Sequence, residues 1–178
     1  MSSKRVGSVQ RKKASSYPKR LCKVVTVREA KVSDSKRIAQ LSTQLGYPIS
    51  AQIMAKLVEK AMKRKDQMLF TAELCGNVIG WLEIFRPLSV LNSGKAEIGA
   101  LVVDSQIHRL GVGTALMNEA QKWARQSGSP FIYLRSNIVR KGAHDFYLRN
   151  GYSVLKTQYV FQKTLQHRKP RIAERKKP

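Results

Sequence analysis

The stretch His108-Arg109-Leu110-Gly111-Val112-Gly113-Thr114 carries the most legible chemistry in the chain. Glycines at a helix start let the backbone come close to a phosphate, while the free N–H groups of the first turn and the positive end of the helix dipole attract the anion. Arg109 adds a mobile positive charge. A Gly-x-Gly alone is common, and a tight turn that packs a helix on a sheet accounts for it as well, so the surrounding elements must decide. A second group of reactive residues lies later, in Ala143-His144-Asp145-Phe146-Tyr147, which is closed by Asn150-Gly151-Tyr152. Cys22 and Cys75 are the only cysteines; they lack metal-ligand spacing and are read as reduced, and no metal is expected.

The elements that must hold these residues can be read from periodicity. Val24 to Arg28 alternates as a first strand, and Ser33 caps a helix carrying Ile38, Leu41 and Leu45 up to Gly46-Tyr47-Pro48. Ser50 starts a second amphipathic helix with Ile53, Leu57, Val58 and Ala61 on one face. Met68 to Leu74 and Val78 to Phe85 form an antiparallel hairpin turning at Gly76-Asn77. After a loop from Arg86 to Lys95, the nearly continuous apolar run Ala96 to Asp104 reads as a central strand buried on both faces. Gly111 to Gln126 is helical with Leu116, Ala120, Trp123 and Ala124 on one stripe, and Phe131 to Arg135 is the strand that completes a right-handed βαβ unit. Arg140 to Asn150 makes a last helix closed by Gly151, followed by short strands at Tyr152–Leu155 and Tyr159–Leu165.

With the glycine loop between a buried strand and a helix, and the tyrosine-bearing helix at the end, the order of elements resembles the GNAT superfamily of N-acetyltransferases, in the bacterial branch similar to aminoglycoside acetyltransferases. The resemblance runs from about Val24 to Leu165, and its motifs are Glu97 to Leu116 and Arg140 to Tyr152. It implies an α/β (α+β) fold: a mixed, mostly antiparallel twisted sheet of six to seven strands with four helices and splayed central strands. It also implies acetyl-coenzyme A as co-substrate and an amine as acceptor. The cofactor would run along Leu101, Val102 and Val103, with its pyrophosphate at His108, Arg109, Leu110, Gly111, Val112, Gly113 and Thr114. His108 stands where the family has Gln or Arg, and backbone donors would then suffice.

Family precedent gives Tyr147 the role of general acid toward the leaving thiolate, the alternative being a core tyrosine beside Phe146. Asn137 either holds the cofactor's amide chain or caps a turn. An amine of pKa ~10 arrives as ammonium and needs a base, for which Glu97 is the candidate by its offset from Gly111; the alternative is a strand-end carboxylate facing solvent or pairing with Lys95. Trp81 and Glu83 would line the acceptor side, although Trp81 is read first as core and Glu83 as an outward strand residue. His144 is read as helix packing.

The formal net charge of +23 over 178 residues concentrates at the ends. Residues 1–23 and 166–178 are read as basic disordered tails around a domain spanning 24–165. Such tails exchange counterions with nucleic acid, so a ribosome- or nucleic-acid-associated binding protein with a weak or inactive acetyltransferase domain is the alternative function. A phosphate-binding domain unrelated to coenzyme A would make the late tyrosine motif a coincidence. No apolar run suits a membrane span or a secretory leader, so a cytoplasmic monomer or homodimer without membrane contact is expected.

Overall fold

The computed structural model describes residues 24–89, 94–107 and 110–165. Both basic tails, His108 and Arg109 lie outside the described residues. Contacts divide the chain into two units, Met1–Arg140 and Lys141–Pro178, and each is treated by itself.

The first unit contains β1 (Thr26–Glu29), α1 (Ser35–Gln44), α2 (Ala51–Met62), β2 (Gln67–Leu74), β3 (Asn77–Phe85), β4 (Ala96–Val103), α3 (Val112–Gln126) and β5 (Ile132–Leu134). The five strands lie in the order β1-β2-β3-β4-β5; β1 to β4 pair antiparallel, and β5 joins β4 in parallel after the α3 crossover. α1 begins later than Ser33 because a 3-10 turn, Val32–Asp34, intervenes. Asp34 stands at the N-cap of α1 without a side-chain cap bond to it; its Oδ2 accepts the Lys31 N–H at 2.7 Å and closes the 3-10 turn instead. Ser50 caps α2 as its type suggests, accepting from the Ile53 N–H at 3.2 Å. The hairpin turn falls one residue early: Cys75 and Gly76 both adopt positive φ (54° and 74°), and Asn77 already pairs with Leu74. Cys75 is disulfide-bonded, against the expectation of a reduced thiol; a turn tip keeps that sulfur accessible, and Cys22 lies outside the described residues.

α1 and α2 cover one face of the sheet through Ile38, Leu41, Met54 and Val58, which cluster with Trp81 and Val102. The buried stripe of α2 is Met54, Val58 and Ala61, leaving Ile53 and Leu57 about half exposed, so the expected face is turned by one position. α3 covers the opposite face with Val112, Leu116, Met117, Ala120 and Ala124. Gly80 sets that approach: a Cβ there would sit 2.9 Å from the Val102 carbonyl oxygen and 3.2 Å from Val112.

The second unit contains α4 (Lys141–Arg149), closed at Gly151 with φ 82°. The two strands expected after it do not form. Residues 153–165 carry no strand among the described residues, and Val154, Leu155, Tyr159, Val160 and Phe161 are exposed. The described sheet therefore has five strands rather than six to seven. No helix among the described residues is long and apolar enough to cross a membrane.

Candidate active site

The central strand is not buried on both faces along its length. β4 is buried from Ala96 to Ile98, then opens at Gly99, Ala100 and Leu101. Two departures from regular pairing cause this. On one side the β3–β4 register shifts, Ile84 facing Ile98 but Glu83 facing Ala100, so Gly99 is the extra residue. On the other side β4 pairs with β5 only over Ala96↔Ile132, Glu97↔Tyr133 and Ile98↔Leu134. From Gly99 onward that edge of β4 has no strand beside it among the described residues, which is the expected splay.

Because cross-strand partners share a face, the register places Trp81, Glu83, Phe85, Glu97 and Tyr133 on the α1/α2 side. At the end of the sheet beyond those helices the cluster becomes polar. Glu97 is 5% exposed, accepting from the Tyr133 hydroxyl at 2.7 Å and from Arg135 Nη2 at 2.5 Å, one bond to each oxygen. It is therefore neither a solvent-facing carboxylate nor a partner of Lys95. Burial, then the hydrogen bond to Glu97, push the Tyr133 hydroxyl above its ordinary pKa.

Glu83 is half-buried, not an outward residue. Its Oε1 accepts from Gln67 Nε2 at 2.6 Å, and its Oε2 lies over Gly99, where a Cβ would come within 2.6 Å of it. Burial raises the Glu83 pKa, the Gln67 bond lowers it, and the negative charge of Glu97 raises it again, with a net rise. Trp81 is 9% exposed within the α1/α2 cluster, so it is core, yet its indole N–H has no hydrogen-bond partner among the described residues.

At the far end of β4, Val102 is buried while Leu101 and Val103 are partly open. The turn that follows is fixed by Asp104, 3% exposed and ion-paired to Arg37; its Oδ1 accepts from the Gln106 N–H at 3.0 Å, and Gln44 Oε1 accepts from the Ser105 N–H at 3.0 Å. Gly111 caps α3 with φ 68°, a left-handed conformation that glycine adopts without strain. Val112 is buried against the sheet, Gly113 is half-exposed and Thr114 and Leu110 are exposed, so the first-turn N–H groups sit behind a surface without bulky side chains at Gly111 and Gly113. Asn137 caps a turn: its Oδ1 accepts from the Val139 N–H at 3.1 Å.

In the second unit Tyr147 is half-buried and packs edge-on against Phe146 at 5.3 Å and Tyr152 at 6.1 Å between centroids. The packing beside Phe146 is that of a core tyrosine, and the ring stays partly exposed. Residue patterns did not single out Gln67, Tyr133, Arg135, Arg37, Gln44 or Asp104. Tyr133 and Arg135 alternate on one short strand, and only its pairing with β4 brings them to Glu97. Among the described residues no cluster of three His, Cys, Asp or Glu could hold a metal ion.

Residues 36–152 match the model of the acetyltransferase (GNAT) family. The chain is 32% identical over 98 residues to an uncharacterized N-acetyltransferase of Methanocaldococcus jannaschii, covering 51% of this chain and 41% of that protein. It is 33% identical over 91 residues to the aminoalkylphosphonate N-acetyltransferase of Salmonella typhimurium, covering 51% and 58%. The alignments thus span about half the length of these curated relatives. Among solved structures, the aminoglycoside N-acetyltransferase AAC(6')-Iy in complex with CoA superposes with a TM-score of 0.73 at 14% identity, over 84% of this chain and 100% of that one. At that identity the likeness concerns the fold.

Proposed function

The chain belongs to the acetyltransferase (GNAT) family, and from that premise we propose that it transfers an acetyl group from acetyl-coenzyme A to an amine, with Glu83 rather than Glu97 as the base. The observation that carries this is the contrast between the two carboxylates: both oxygens of Glu97 are occupied by Tyr133 and Arg135, whereas Glu83 is raised in pKa and keeps one oxygen over the open floor at Gly99.

The residues present suit the cofactor. The unpaired edge of β4 at Leu101 to Val103 offers backbone groups to a pantetheine chain, and the α3 N-terminus from Gly111 to Thr114 offers N–H donors and space to a pyrophosphate. When bound, acetyl-coenzyme A supplies the acetyl group as an activated thioester. Glu83 accepts a proton from the ammonium of the acceptor, and its raised pKa brings its basicity closer to neutral pH. Glu97, held in place by Arg135 and Tyr133, is the neighbouring charge that helps raise the Glu83 pKa. Tyr147, by the family motif it matches, is the residue assigned to protonate the leaving thiolate.

The test is thiol release from acetyl-coenzyme A by the full chain against a panel of amines that includes an aminoalkylphosphonate and an aminoglycoside. With +23 net charge the anionic aminoalkylphosphonate should meet less repulsion. A parallel melt at ~300 mM salt, with ADP as control, should rise by several degrees with acetyl-coenzyme A alone. Absence of both a melting shift and thiol release would overturn the proposal.

A further inference from the structure

The opening at Gly99 has a charged group on either side. Glu83 stands on one, its Oε2 lying over Gly99 while Gln67 holds its Oε1. Arg135 stands on the other. Ile98↔Leu134 is the last pair between β4 and β5, so the residues that follow, Gly99 and Arg135, face each other across the splay. The bond from Arg135 Nη2 to Glu97 keeps that side chain on the same face of the sheet as Glu83. The strands that carry the two groups are second neighbours, ~10 Å apart at the backbone.

Arg135 is only partly committed to Glu97. Its side chain is 63% exposed, and its Nε and Nη1 meet no acceptor among the described residues. One guanidinium can serve two carboxylates, as Arg28 does in the same sheet by bonding both Asp34 and Glu73. The anchored Nη2 also limits how the planar fork can turn, so the remaining donors are held in place and not swept by a free side chain.

We propose that Arg135 binds an anionic group of the acceptor, which makes the acceptor a short amine bearing a carboxylate, phosphonate or phosphate. This rests on the acetyl-transfer reading with Glu83 as base. The ammonium end lies at Glu83, which takes its proton, and the anionic oxygens lie at Arg135. Such a molecule matches the order of charges across the opening, whereas a diamine brings a second cation to the guanidinium. Holding the far end of the acceptor also orients its nitrogen for attack.

Thiol release from acetyl-coenzyme A by the full chain tests this with amines of matched length: β-alanine and 2-aminoethylphosphonate against n-propylamine and 1,3-diaminopropane. The anionic amines should have kcat/KM higher by about 10–100-fold, the scale of charge-assisted hydrogen bonds. Arg135→Gln should erase most of that ratio, chiefly through KM of the anionic amines, and Arg135→Lys should retain part of it. Any loss from unpairing Glu97 falls on both kinds of amine and cancels in the ratio. A wild type that uses n-propylamine or 1,3-diaminopropane as well as the anionic amines, or a ratio that Arg135→Gln leaves unchanged, overturns the anion site and leaves acetyl transfer standing. Release with no amine of any kind overturns both. The wild type alone supplies a second measurement: methylphosphonate, an anion without an amine, should compete with β-alanine and not with acetyl-coenzyme A. Competition with acetyl-coenzyme A alone would put the anion at the α3 N-terminus and sink the assignment to Arg135.

Discussion

Two groups of carboxylates in the first unit are built from the same residue types and do opposite things. Where β1 meets the turn before α1, Arg28 ties Asp34 and Glu73 together, with bonds of 2.8 and 3.0 Å to the two oxygens of Asp34 and a further ion pair to Glu73. Burial pushes Asp34 up, but the Arg28 hydrogen bonds and the Lys31 N–H outweigh it and hold it below its ordinary pKa, while Arg28 itself is raised. At the other end of the sheet, Glu83 meets an amide, a glycine and a second carboxylate, and its pKa moves the other way. Asp34, given a guanidinium, is held as a fixed anion of the fold; Glu83, given burial and a like charge, is raised instead, which is the property a base needs. The difference lies in which partner the register supplies, not in the carboxylate.

Substitutions can break that comparison from either side. The largest effect is expected from Glu83→Gln, which should lower kcat/KM by ~10²–10⁴ and remove the acid limb of the pH–rate profile; in the wild type that limb should lie above the ordinary carboxylate range, activity rising with pH as Glu83 loses its proton. Arg28→Ala leaves Asp34 and Glu73 without their counter-charge and should cost about 2–3 kcal/mol, read as a lowered melting temperature. Because Asp34 is depressed in the folded state, its contribution is present above the unfolded carboxylate pKa and is lost as pH falls through the lower folded value, so the two melting curves should converge in strong acid.

Gly99→Ala sharpens the comparison, since its Cβ would meet Glu83 Oε2 at 2.6 Å and the Phe85 ring at 2.9 Å. It should lower kcat/KM about tenfold with little change in melting temperature, because the displaced carboxylate lies at the open cleft. The smallest effect is in stability. A carboxyl with a raised folded pKa contributes fully below its unfolded pKa, and that contribution is lost as pH rises through the folded value. Glu83→Gln should therefore melt slightly higher than the wild type near neutral pH, by less than about 1 kcal/mol, with the gap closing in acid.

The helices, the hairpin and the strand on either side of α3 were legible because their apolar periodicities are long and their caps, such as Ser50 and Gly111, act locally. The turn into α3 at Gly111 was legible for the same reason. Glu97 could be marked from its distance to Gly111, but its partners could not, since Tyr133 and Arg135 reach it only through the parallel pairing of β4 with β5. Glu83 read as outward because alternation along β3 does not reveal the register shift opposite Gly99 that carries it over the cleft floor. The strands after α4 were legible as patterns and absent as structure, because a pattern specifies a strand's preference and not the neighbour that completes it.

The three residue pairs that join β4 to β5 have a dynamic consequence. Amide protons at the β2–β3 ladder, paired from Gln67↔Phe85 to Leu74↔Asn77, can exchange with solvent only when much of the unit opens. The joint to β5 can open alone, and its amides should exchange faster by a wide margin. Glu97 and its partners Tyr133 and Arg135 straddle that joint, so each brief opening would loosen the anion beside Glu83 and change the width of the cleft, making the shortest ladder in the sheet the site's own hinge.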